Sequence, residues 1–414
     1  MVDERARTPA SISVAEHRER ILADLGPLRR VHVPLSEALH RTLAEHTIAR
    51  IDVPGFDNSA MDGYALRRAD VLSASREHPI PLSVVADLPA GSASNPALGP
   101  GESARIMTGA PMPVDADCVV PIEETDEGTT MVLIRQAPAV AAHIRRAGSD
   151  VRRGDAVLES GRTLNSRDLA AAAATGWSRL LVHPAPRVGV LSTGSELREP
   201  GEPLGRGQIH DSNSLLLAAA VEESGGVPVQ IGFVPDDESM VRATFERYAA
   251  EVDVFVTSGG VSVGAYDVVK AVLAPMGAWF GPVRMQPGKP QGFGRWIDGT
   301  PIFALPGNPV SVFVSFEAFV RPALQKLQGR QMLQRPLVRA EASEGWRSPA
   351  GRAQYMPVSV RHHPDGTLRV RPASGGGSGS HLVASLASAD ALAIVPEETT
   401  EVRAGDVVDV TLVP

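Results

Sequence analysis

The chain has 414 residues and a formal net charge of −8, because 40 Lys and Arg residues face 48 Asp and Glu residues. At roughly 150 residues per domain, this length predicts two to four domains, and the composition is that of a soluble globular protein. The net acidity argues against general nucleic-acid binding, and the single cysteine, Cys118, excludes an internal disulfide, a cysteine zinc site or an iron–sulfur cluster carried by this chain alone.

The N-terminal residues MVDERARTPAS lack the apolar core of a secretory signal. No apolar run approaches the roughly 18 residues of a membrane-spanning helix, so we expect a cytoplasmic protein. Ser13 and Glu16 have the spacing of a capping box, with Ile12 placed as a hydrophobic staple. Residues 12–50 are therefore predicted to be helical.

Residues 51–148 are rich in Pro, Gly and short β-branched runs such as LSVVADL and DCVVPIEE, which predicts a small β-rich domain. A helix follows, because Asn165 or Ser166 can cap the alanine-rich run DLAAAAA and Gly176 can end it. This helix resembles the first segment more than the β-rich stretch between them. The β-rich stretch is interpreted as an insertion into an elongated helical domain formed by residues 1–50 and 149–184.

From residue 185 to 330 the sequence alternates between apolar strands and helical stretches. The strands RVGVLST, VPVQIGFV, DVFVTSGG and PIFALPGN each end in small or turn residues and lead into a helix-like stretch. This alternation predicts an α/β domain with a mainly parallel sheet and helices on its faces. Residues 331–414 return to short strands and are predicted to form a C-terminal β-barrel-like domain. The tract GGGSGS at 375–380 is interpreted as a mobile loop.

Three of the four strand ends carry glycine-containing turns. Small residues before a helix expose unpaired N–H groups, which bind oxyanions such as phosphate. Each turn taken alone is also compatible with an ordinary strand-to-helix connection, but three turns at the carboxyl edge of one sheet favour a ligand site. The residues concerned are Thr193, Gly194, Ser258, Gly259, Gly260, Gly264, Pro306, Gly307 and Asn308.

Three acids, Glu196, Asp236 and Asp267, fall at or just after strand ends, so the fold is expected to bring them to one rim. Like charges there would repel a phosphate-bearing ligand unless a divalent cation intervenes. Mg²⁺ suits this role because it binds a few carboxylates together with water and phosphate. The alternative for Asp236 and Asp267 is helix capping. Lys289 in PGKP, one of three lysines, is placed to contact a phosphate; its alternative is a solvated hairpin residue.

Three segments of the β-rich region carry more polar turn residues than a linker needs. PGFDNSAMDGYA (54–65) packs Asp57, Asn58, Ser59 and Asp62 into a short turn-rich segment. RIMTGAPMP (105–113) places Thr108 and Gly109 where a strand ends. RRAGSDVRRGD (145–155) surrounds Asp150 with arginines. Each segment taken alone is equally compatible with turn chemistry, through Asx-turns and ion pairs.

Together these segments resemble the MoeA-type molybdopterin molybdenumtransferases, the family that includes the C-terminal domain of gephyrin. The matching motifs span residues 51–320 and are, in chain order, PGFDNSAMDGYA, RIMTGAPMP, RRAGSD, VGVLSTGSEL, GQIHDSN, VTSGGVSVGAYD, PGKP and LPGNPVS. PGFDNSAMDGYA is highly specific, whereas TSGGVSVG and LPGNPVS are shared more broadly with related pterin-binding proteins. The resemblance implies that adenylylated molybdopterin and molybdate give molybdenum cofactor and AMP.

The resemblance also implies a homodimer of four-domain subunits. Its active site would lie in a cleft between the α/β domain of one subunit and the β-rich domain of the other, which supplies Asp62 and Asp150. The functional acids carried over by the motifs are Asp62, Asp150, Glu196, Asp236 and Asp267. The substrate-binding residues carried over or proposed from the turns are Thr108, Gly109, Thr193, Gly194, Ser258, Gly259, Gly260, Gly264, Arg284, Pro287, Gly288, Lys289, Pro306, Gly307 and Asn308.

The chain departs from the family pattern beside PGKP, where the family often carries two basic residues. Here those positions are Gln286 and Pro282, and Arg284 between them is the candidate replacement near molybdate. Two other functions stay open: an adenylyltransferase acting one step earlier, and a non-catalytic pterin-binding scaffold. The extra domains argue against the first, and the intact set of acids argues against the second. Docking of an adenylyltransferase partner and the choice between molybdate and tungstate also stay open.

Overall fold

The computed structural model describes residues 10–261, 267–375 and 378–413. The chain forms two compact units. The first unit comprises the described parts of residues 1–31, 40–44 and 181–414, and the second comprises residues 32–39 and 45–180. Among the described residues, no helix is both long enough and apolar enough to cross a membrane.

The prediction of a helical segment over residues 12–50 is wrong beyond the first helix. Ser13 caps α1 (Val14–Asp24) with the expected capping box to Glu16. Short strands then follow at β1 (Val31–Pro34), β2 (Thr42–Leu43) and β3 (Thr47–Ile48). Pro27 and Pro34 account for the difference, because proline lacks the N–H that a helix interior requires.

The β-rich prediction for the next segment is confirmed. Its strands are β4 (Asn58–Ser59), β5 (Gly63–Leu66), β6 (Ile80–Leu88), β7 (Glu102–Ile106), β8 (Cys118–Pro121), β9 (Met131–Ile134) and β10 (Ile144–Arg145); β11 (Ala156–Leu158) follows, in the segment predicted to belong to the helical domain. Five of them form one sheet in the order β8-β5-β7-β6-β9. Tyr64 lies opposite both Arg105 and Val120 and is fully buried, so the centre of the sheet is a packed core.

The second predicted helix is α2 (Ser166–Ala174), and Asn165 is its N-cap. The Asn165 side chain accepts hydrogen bonds from the amides of Arg167 and Asp168, so the helix start is fixed locally. Gly176 follows with φ +91°, in the left-handed conformation that ends helices. Strand β12 (Arg179–His183) comes next and pairs with β2, while β11 pairs with β3. The assignment of residues 1–50 and 149–184 to one domain stays a prediction.

The α/β prediction is confirmed by a six-stranded sheet with the order β16-β13-β17-β21-β20-β18. The strands of this region are β13 (Arg187–Thr193), β14 (Leu197–Arg198), β15 (Ile209–His210), β16 (Val227–Val234), β17 (Val254–Ser258), β18 (Trp279–Pro282), β19 (Met285–Gln286), β20 (Pro290–Arg295) and β21 (Pro301–Leu305). Strands β16, β13, β17 and β21 run parallel to one another, whereas β20 pairs antiparallel with both β21 and β18. The carboxyl ends of four parallel strands therefore meet at one edge.

Helices cover the sheet as the alternation predicts. They are α3 (Asn213–Glu223), α4 (Glu238–Tyr248), α5 (Val268–Leu273), α6 (Pro309–Ser315) and α7 (Arg321–Leu327), with a π-helical turn at Phe316–Val320 between the last two. Fully buried side chains such as Val190, Val256 and Phe316 form the core beneath α3 and α6. A second core with Phe245 and Phe255 lies beneath α4 and α5.

The C-terminal strands close into a barrel, as expected. They are β22 (Leu337–Ala342), β23 (Trp346–Arg347), β24 (Ala353–His362), β25 (Leu368–Pro372), β26 (Ala391–Val395), β27 (Glu401–Val402) and β28 (Val407–Leu412), with the short helix α8 (Val383–Leu386) before β26. The order β24-β25-β22-β28-β26 returns to β24 through a direct β24–β26 pairing. Strand β19, just before PGKP, adds to the free side of β24 and joins Gln286 to Gln354 in register.

Candidate functional site

A cavity of about 550 Å³ lies at the carboxyl edge of the parallel sheet. The predicted residues that line it are Thr193, Gly194, Glu196, Asp236, Ser258, Gly259, Gly260, Pro287, Gly288, Lys289, Pro306, Gly307 and Asn308. We call it the strand-end cavity. Gly264 lies outside the described residues. The structure thus brings the three glycine-containing turns and the PGKP turn to one place.

The three turns touch one another through their backbones. Gly259 has φ +92°, and a Cβ at this position would lie 2.6 Å from the carbonyl oxygen of Thr193. A Cβ on Gly307 would in turn lie 3.6 Å from the Cα of Gly259. Glycine at position 259 is therefore required by the close approach of β13 and β17 as well as by its backbone conformation.

Two predicted acids, Glu196 and Asp236, line the strand-end cavity. The amide of Ser195 donates to Oδ2 of Asp236 at 3.1 Å, so the turn after β13 and the turn after β16 are joined. Asp267 directly precedes α5 and is not among the described lining residues. Over the ranges that the structure describes, no three His, Cys, Asp or Glu side chains are grouped as a metal site. The three acids therefore do not form a preassembled cluster.

A cluster of hydroxyl groups beneath the cavity was missed by the sequence analysis. The Ser192 hydroxyl donates to Oδ1 of buried Asp211 at 3.1 Å and lies 2.9 Å from the hydroxyls of Ser214 and Ser258. The same Asp211 oxygen accepts the amides of Asn213 and Ser214, both at 3.1 Å. This arrangement ties the ends of β13 and β17 to the start of α3. The signal was present in the motif GQIHDSN, to which no role was assigned.

Two polar atoms of lining residues have no hydrogen-bond partner among the residues described: Oγ1 of Thr193 and Oδ1 of Asn213. Both atoms are buried, and unpaired buried polar atoms destabilise a protein. The Asn213 amide group is fixed by a 2.7 Å hydrogen bond from Nδ2 to the carbonyl oxygen of Gly307. A polar ligand in the cavity would supply the missing partners.

Lys289 is exposed at the cavity, on the turn formed by Pro287 and Gly288. The turn is held from below, because Nε2 of Gln291 donates to the carbonyl oxygen of Gly288 at 2.7 Å. The predicted phosphate contact of Lys289 is therefore sterically open. The contact itself stays a prediction.

Arg284 is not among the residues that line the strand-end cavity, contrary to its predicted role. Its Nε donates to Oε2 of Glu397 at 2.7 Å and its Nη1 donates to the carbonyl oxygen of Ser11 at 3.0 Å. The nearby Glu397 carboxylate raises the pKa of the Arg284 guanidinium. The charge beside Gln286 comes instead from Arg352, whose Nη1 donates to the Gln286 Oε1 at 3.3 Å. Arg352 was missed because the pairing of β19 with β24 is non-local.

The end of the GGGSGS tract contacts the third glycine-containing turn. Nδ2 of Asn308 donates to the Ser380 hydroxyl at 3.0 Å, and the amide of Val310 donates to the Ser380 carbonyl oxygen at 3.1 Å. Gly376 and Gly377, in the middle of the tract, lie outside the described residues. Ser378 and Gly379 also line a neighbouring cavity of about 870 Å³, which we call the barrel cavity. Gln286 lines both cavities and so marks where they adjoin.

In the second unit, the first two predicted segments meet at Asp62. Its Oδ1 accepts hydrogen bonds from the amide of Thr108 at 2.7 Å and from the Thr108 hydroxyl at 2.8 Å. These hydrogen bonds, the amide first, lower the pKa of the Asp62 carboxyl. Gly109 follows with φ +81°, and its amide donates to the carbonyl oxygen of Ser59 at 2.9 Å. Both motifs therefore form one turn cluster around an ionised, exposed Asp62.

The third segment joins this cluster through Asp57. Its Oδ1 accepts the amide of Ala147 at 2.8 Å, and its Oδ2 forms an ion pair with Arg146 at 2.5 Å. Asp150 is exposed, and its amide donates to the carbonyl oxygen of Val53 at 3.0 Å. The structure therefore gathers the three segments within the second unit. The roles of Asp62 and Asp150 in catalysis stay predictions.

Known protein families match this chain over most of its length. A family model described as the MoeA N-terminal region (domain I and II) matches residues 12–176, and one described as the MoeA C-terminal region (domain IV) matches residues 339–413. The model "Probable molybdopterin binding domain" matches residues 189–326 between them. A molybdopterin molybdenumtransferase 2 of Mycobacterium tuberculosis is 44% identical over 400 residues, covering 95% of this chain and 97% of that protein. The chain belongs to the MoeA family.

Other members of the family agree with this assignment. The molybdopterin molybdenumtransferase of a Nostoc species is 38% identical over 387 residues, covering 92% of this chain and 88% of that protein. The crystal structure of a molybdopterin biosynthesis MoeA protein from Pyrococcus horikoshii superposes with a TM-score of 0.82 at 31% identity, over 97% of this chain and 99% of that one. The resemblance and the fold class that the sequence predicts are both confirmed.

Proposed function

We infer that this protein is a molybdopterin molybdenumtransferase, which inserts molybdenum from molybdate into adenylylated molybdopterin and releases AMP. The observation that carries this inference is the convergence of three glycine-containing turns, Glu196 and Asp236 on one cavity, in a chain 44% identical to a named molybdopterin molybdenumtransferase. We place the reaction in the cytoplasm, as the sequence analysis predicts.

Catalysis in this site would rest on positioning and charge stabilisation, because the chemistry requires no nucleophilic side chain. Backbone amides of the turns at Gly194, Gly259 and Gly307 would hold the phosphate and pyrophosphate oxygens of the substrate. Oγ1 of Thr193 can donate to the same oxygens, whereas Oδ1 of Asn213 only accepts and would pair with an N–H or O–H group of the substrate. Cys118 is buried in the second unit, and burial raises the pKa of its thiol to about 12, so it is poorly suited to act as a nucleophile.

Mg²⁺ fits the acids of the strand-end cavity, because carboxylate oxygens are the ligands it prefers and substrate phosphates and water complete its coordination. Glu196 and Asp236 would hold it, with Asp267 as the third predicted ligand. The ion, when bound, would neutralise the pyrophosphate and polarise its bond to AMP. The protein's own contribution is to fix Asp236 against Ser195 and so orient the carboxylate before the substrate arrives.

Molybdate would bind beside PGKP. Lys289 offers an exposed ammonium there, and Arg352 places a guanidinium against Gln286 where the family often carries a basic residue. A tetrahedral dianion is matched by such a combination of a point charge and a planar donor. Arg352 therefore replaces Arg284 as our candidate for the missing charge.

The reaction is tested by incubating the full chain with adenylylated molybdopterin, molybdate and Mg²⁺, and measuring AMP by chromatography and pterin-bound molybdenum by mass spectrometry. The expected result is equimolar AMP and molybdenum cofactor, both dependent on molybdate. Formation of adenylylated molybdopterin from molybdopterin and ATP would instead identify an adenylyltransferase. Failure to release AMP at any molybdate concentration would favour a pterin-binding scaffold. A further arm without Mg²⁺ tests the metal requirement.

We also propose that the enzyme is a homodimer and that each active site includes Asp62 and Asp150 of the partner subunit. The support is that both acids lie in turn clusters on exposed surface of the second unit. Complementation tests it, because the inactive variants Asp62→Asn and Glu196→Gln carry their defects in different halves of a shared site. Mixed dimers would then contain one intact site, and random mixing should restore about a quarter of the wild-type activity. A site built within one subunit would give no recovery.

A further inference from the structure

The outer face of the barrel carries a groove of about 370 Å³. The residues that line it include Ser343, Ser359, Arg361, His363, Arg369 and Arg371, and we call it the barrel groove. It belongs to the first unit and is separate from the residues that line the strand-end cavity.

The strand register explains why these side chains share one face. In the antiparallel pair β24–β25, Ser359 lies opposite Arg371 and Arg361 lies opposite Arg369. Alternate residues of a strand point to opposite faces, so Val358 and Val370 enter the barrel core while the intervening polar residues face outwards. Ser343 joins the groove from the turn after β22, where its amide donates to the Val370 carbonyl oxygen at 2.8 Å.

Three arginines on adjacent strands repel one another unless their charge is balanced. Arg369 forms ion pairs with two carboxylates: its Nε lies 3.5 Å from Glu341 and its Nη2 lies 3.9 Å from Asp365. Asp365 also pairs with Nδ1 of His363 at 2.8 Å. Within the described ranges, Arg361 and Arg371 take part in no ion pair. The barrel groove therefore carries uncompensated positive charge on a chain whose net charge is −8.

One buried hydroxyl of the groove also lacks a hydrogen-bond partner in the part of the chain that the structure describes. It is Oγ of Ser359; Nε of Arg369 makes no hydrogen bond either but faces the Glu341 carboxylate at 3.5 Å. A hydroxyl and a guanidinium N–H both donate to oxyanions, and hydrogen bonds from arginine to oxyanions are among the strongest in proteins. The unpaired Ser359 hydroxyl and the unbalanced charge thus favour the same kind of ligand.

We propose that the barrel groove binds a small tetrahedral oxyanion, either molybdate or a phosphate group. Arg361 and Arg371 supply the charge, and Ser359 supplies the unpaired donor. Arg371 also lines the barrel cavity, which adjoins the strand-end cavity at Gln286. An oxyanion held in the groove is therefore one side chain away from the barrel cavity. This site is additional to the proposed active site, and its occupancy does not depend on catalysis.

Calorimetric titration of the full chain with molybdate, and separately with inorganic phosphate, tests the proposal. The variant Arg361→Gln removes one uncompensated charge from an exposed position. We expect it to lose one class of anion site or weaken it by about tenfold or more, because a hydrogen bond to a charged group is lost. The matched control is Arg339→Gln, an exposed arginine of β22 outside the groove, which should leave all binding unchanged. Ser359→Ala should weaken the same site without changing the protein's charge.

The two anions distinguish the source of the ligand. A site lost in Arg361→Gln for molybdate alone assigns the groove to the reaction's own substrate, and loss for phosphate alone assigns it to a phosphate-bearing ligand. Crystals soaked in molybdate should show an anomalous peak between Arg361 and Arg371. Unchanged titrations of both anions in Arg361→Gln would overturn the proposal. AMP release by Arg361→Gln at saturating molybdate should equal that of the wild type. The titrations measure anion binding alone, so their outcome is independent of the proposed function.

Discussion

Ser195 and Asp236 are joined by a reciprocal pair of hydrogen bonds: the amide of Ser195 donates to the Asp236 carboxylate at 3.1 Å, and the amide of Asp236 donates to the Ser195 hydroxyl at 3.2 Å. The two residues follow different strands, β13 and β16, which are neighbours in the sheet. The pair therefore fixes an acid of the strand-end cavity through the sheet itself. Its orientation does not depend on a flexible loop.

Asp236→Asn should keep an acceptor for Ser195 but lose the charge that we assign to Mg²⁺ binding. We expect molybdenum insertion to fall by about 100-fold, with a higher Mg²⁺ concentration needed for half-maximal rate. Asp237→Asn is the matched control, because Asp237 caps α4 by accepting the Met240 amide and asparagine caps helices equally well. Equal Mg²⁺ dependence in the two variants would refute the role of Asp236.

Gly259→Ala should destabilise the first unit. The alanine would have to adopt φ +92°, and its Cβ would lie too close to the Thr193 carbonyl oxygen. We therefore expect a loss of about 3 kcal/mol in the free energy of unfolding. Gly277→Ala provides the comparison, because Gly277 has φ +87° but no atom within 4 Å of its added Cβ. Its loss should be about 1 kcal/mol, from backbone conformation alone. Urea unfolding measures both, and equal losses would show that the contact with Thr193 is relaxed.

Arg352→Gln should raise the KM for molybdate, because it removes the guanidinium beside Gln286. Arg284→Gln should leave that KM unchanged, since the Arg284 side chain is occupied by Glu397 and Ser11. Steady-state rates at varied molybdate concentration decide between the two arginines. A raised KM in Arg284→Gln alone would restore the interpretation made from the sequence.

Thr108→Val should raise the pKa of Asp62 without returning it to its ordinary value, because the variant loses the hydroxyl donor but keeps the backbone amide. Since the pKa of Asp62 is lowered by folding, its contribution to stability is present above the ordinary carboxyl pKa and disappears as the pH falls through the lowered value. Titration of the Asp62 carboxyl carbon by NMR measures the shift. An unchanged pKa would mean that the hydroxyl contributes nothing.

His17 should make the first unit sensitive to mild acid. Burial between the rings of Trp279 and Phe319 lowers the pKa of His17 to about 3, whereas the unfolded chain takes up the proton near pH 6.5. Stability therefore declines as the pH falls below 6.5, by about 2 kcal/mol at pH 5. The variant His17→Leu should lose this decline in stability, whereas the exposed control His381→Leu should keep it. Urea unfolding at pH 6.5 and at pH 5 measures the difference.

The sequence by itself determined the features that depend on near neighbours along the chain. The capping boxes at Ser13 and Asn165 lie within three residues of their partners, and both start helices where expected. The alternation of strands and helices likewise predicted the parallel sheet. In such a sheet the turns that follow the strands, such as Thr193–Gly194 and Gly259–Gly260, lie together at the carboxyl edge. The motifs were sufficient to assign the family because each is a short, continuous stretch of sequence.

Only the tertiary structure decided the features that join distant segments. Arg352 rather than Arg284 contacts Gln286, because β19 pairs with β24. Arg352 and Gln286 are 66 residues apart in the sequence. The Ser192 hydroxyl on β13 joins the hydroxyls of Ser258 on β17 and Ser214 on α3 and donates to Asp211. The arginines of the barrel groove share a face only through the β24–β25 register. Sequence patterns report which residues are local neighbours or share a face of one element. The electrostatics of a site depend on which elements pack together, and that is set by the whole fold.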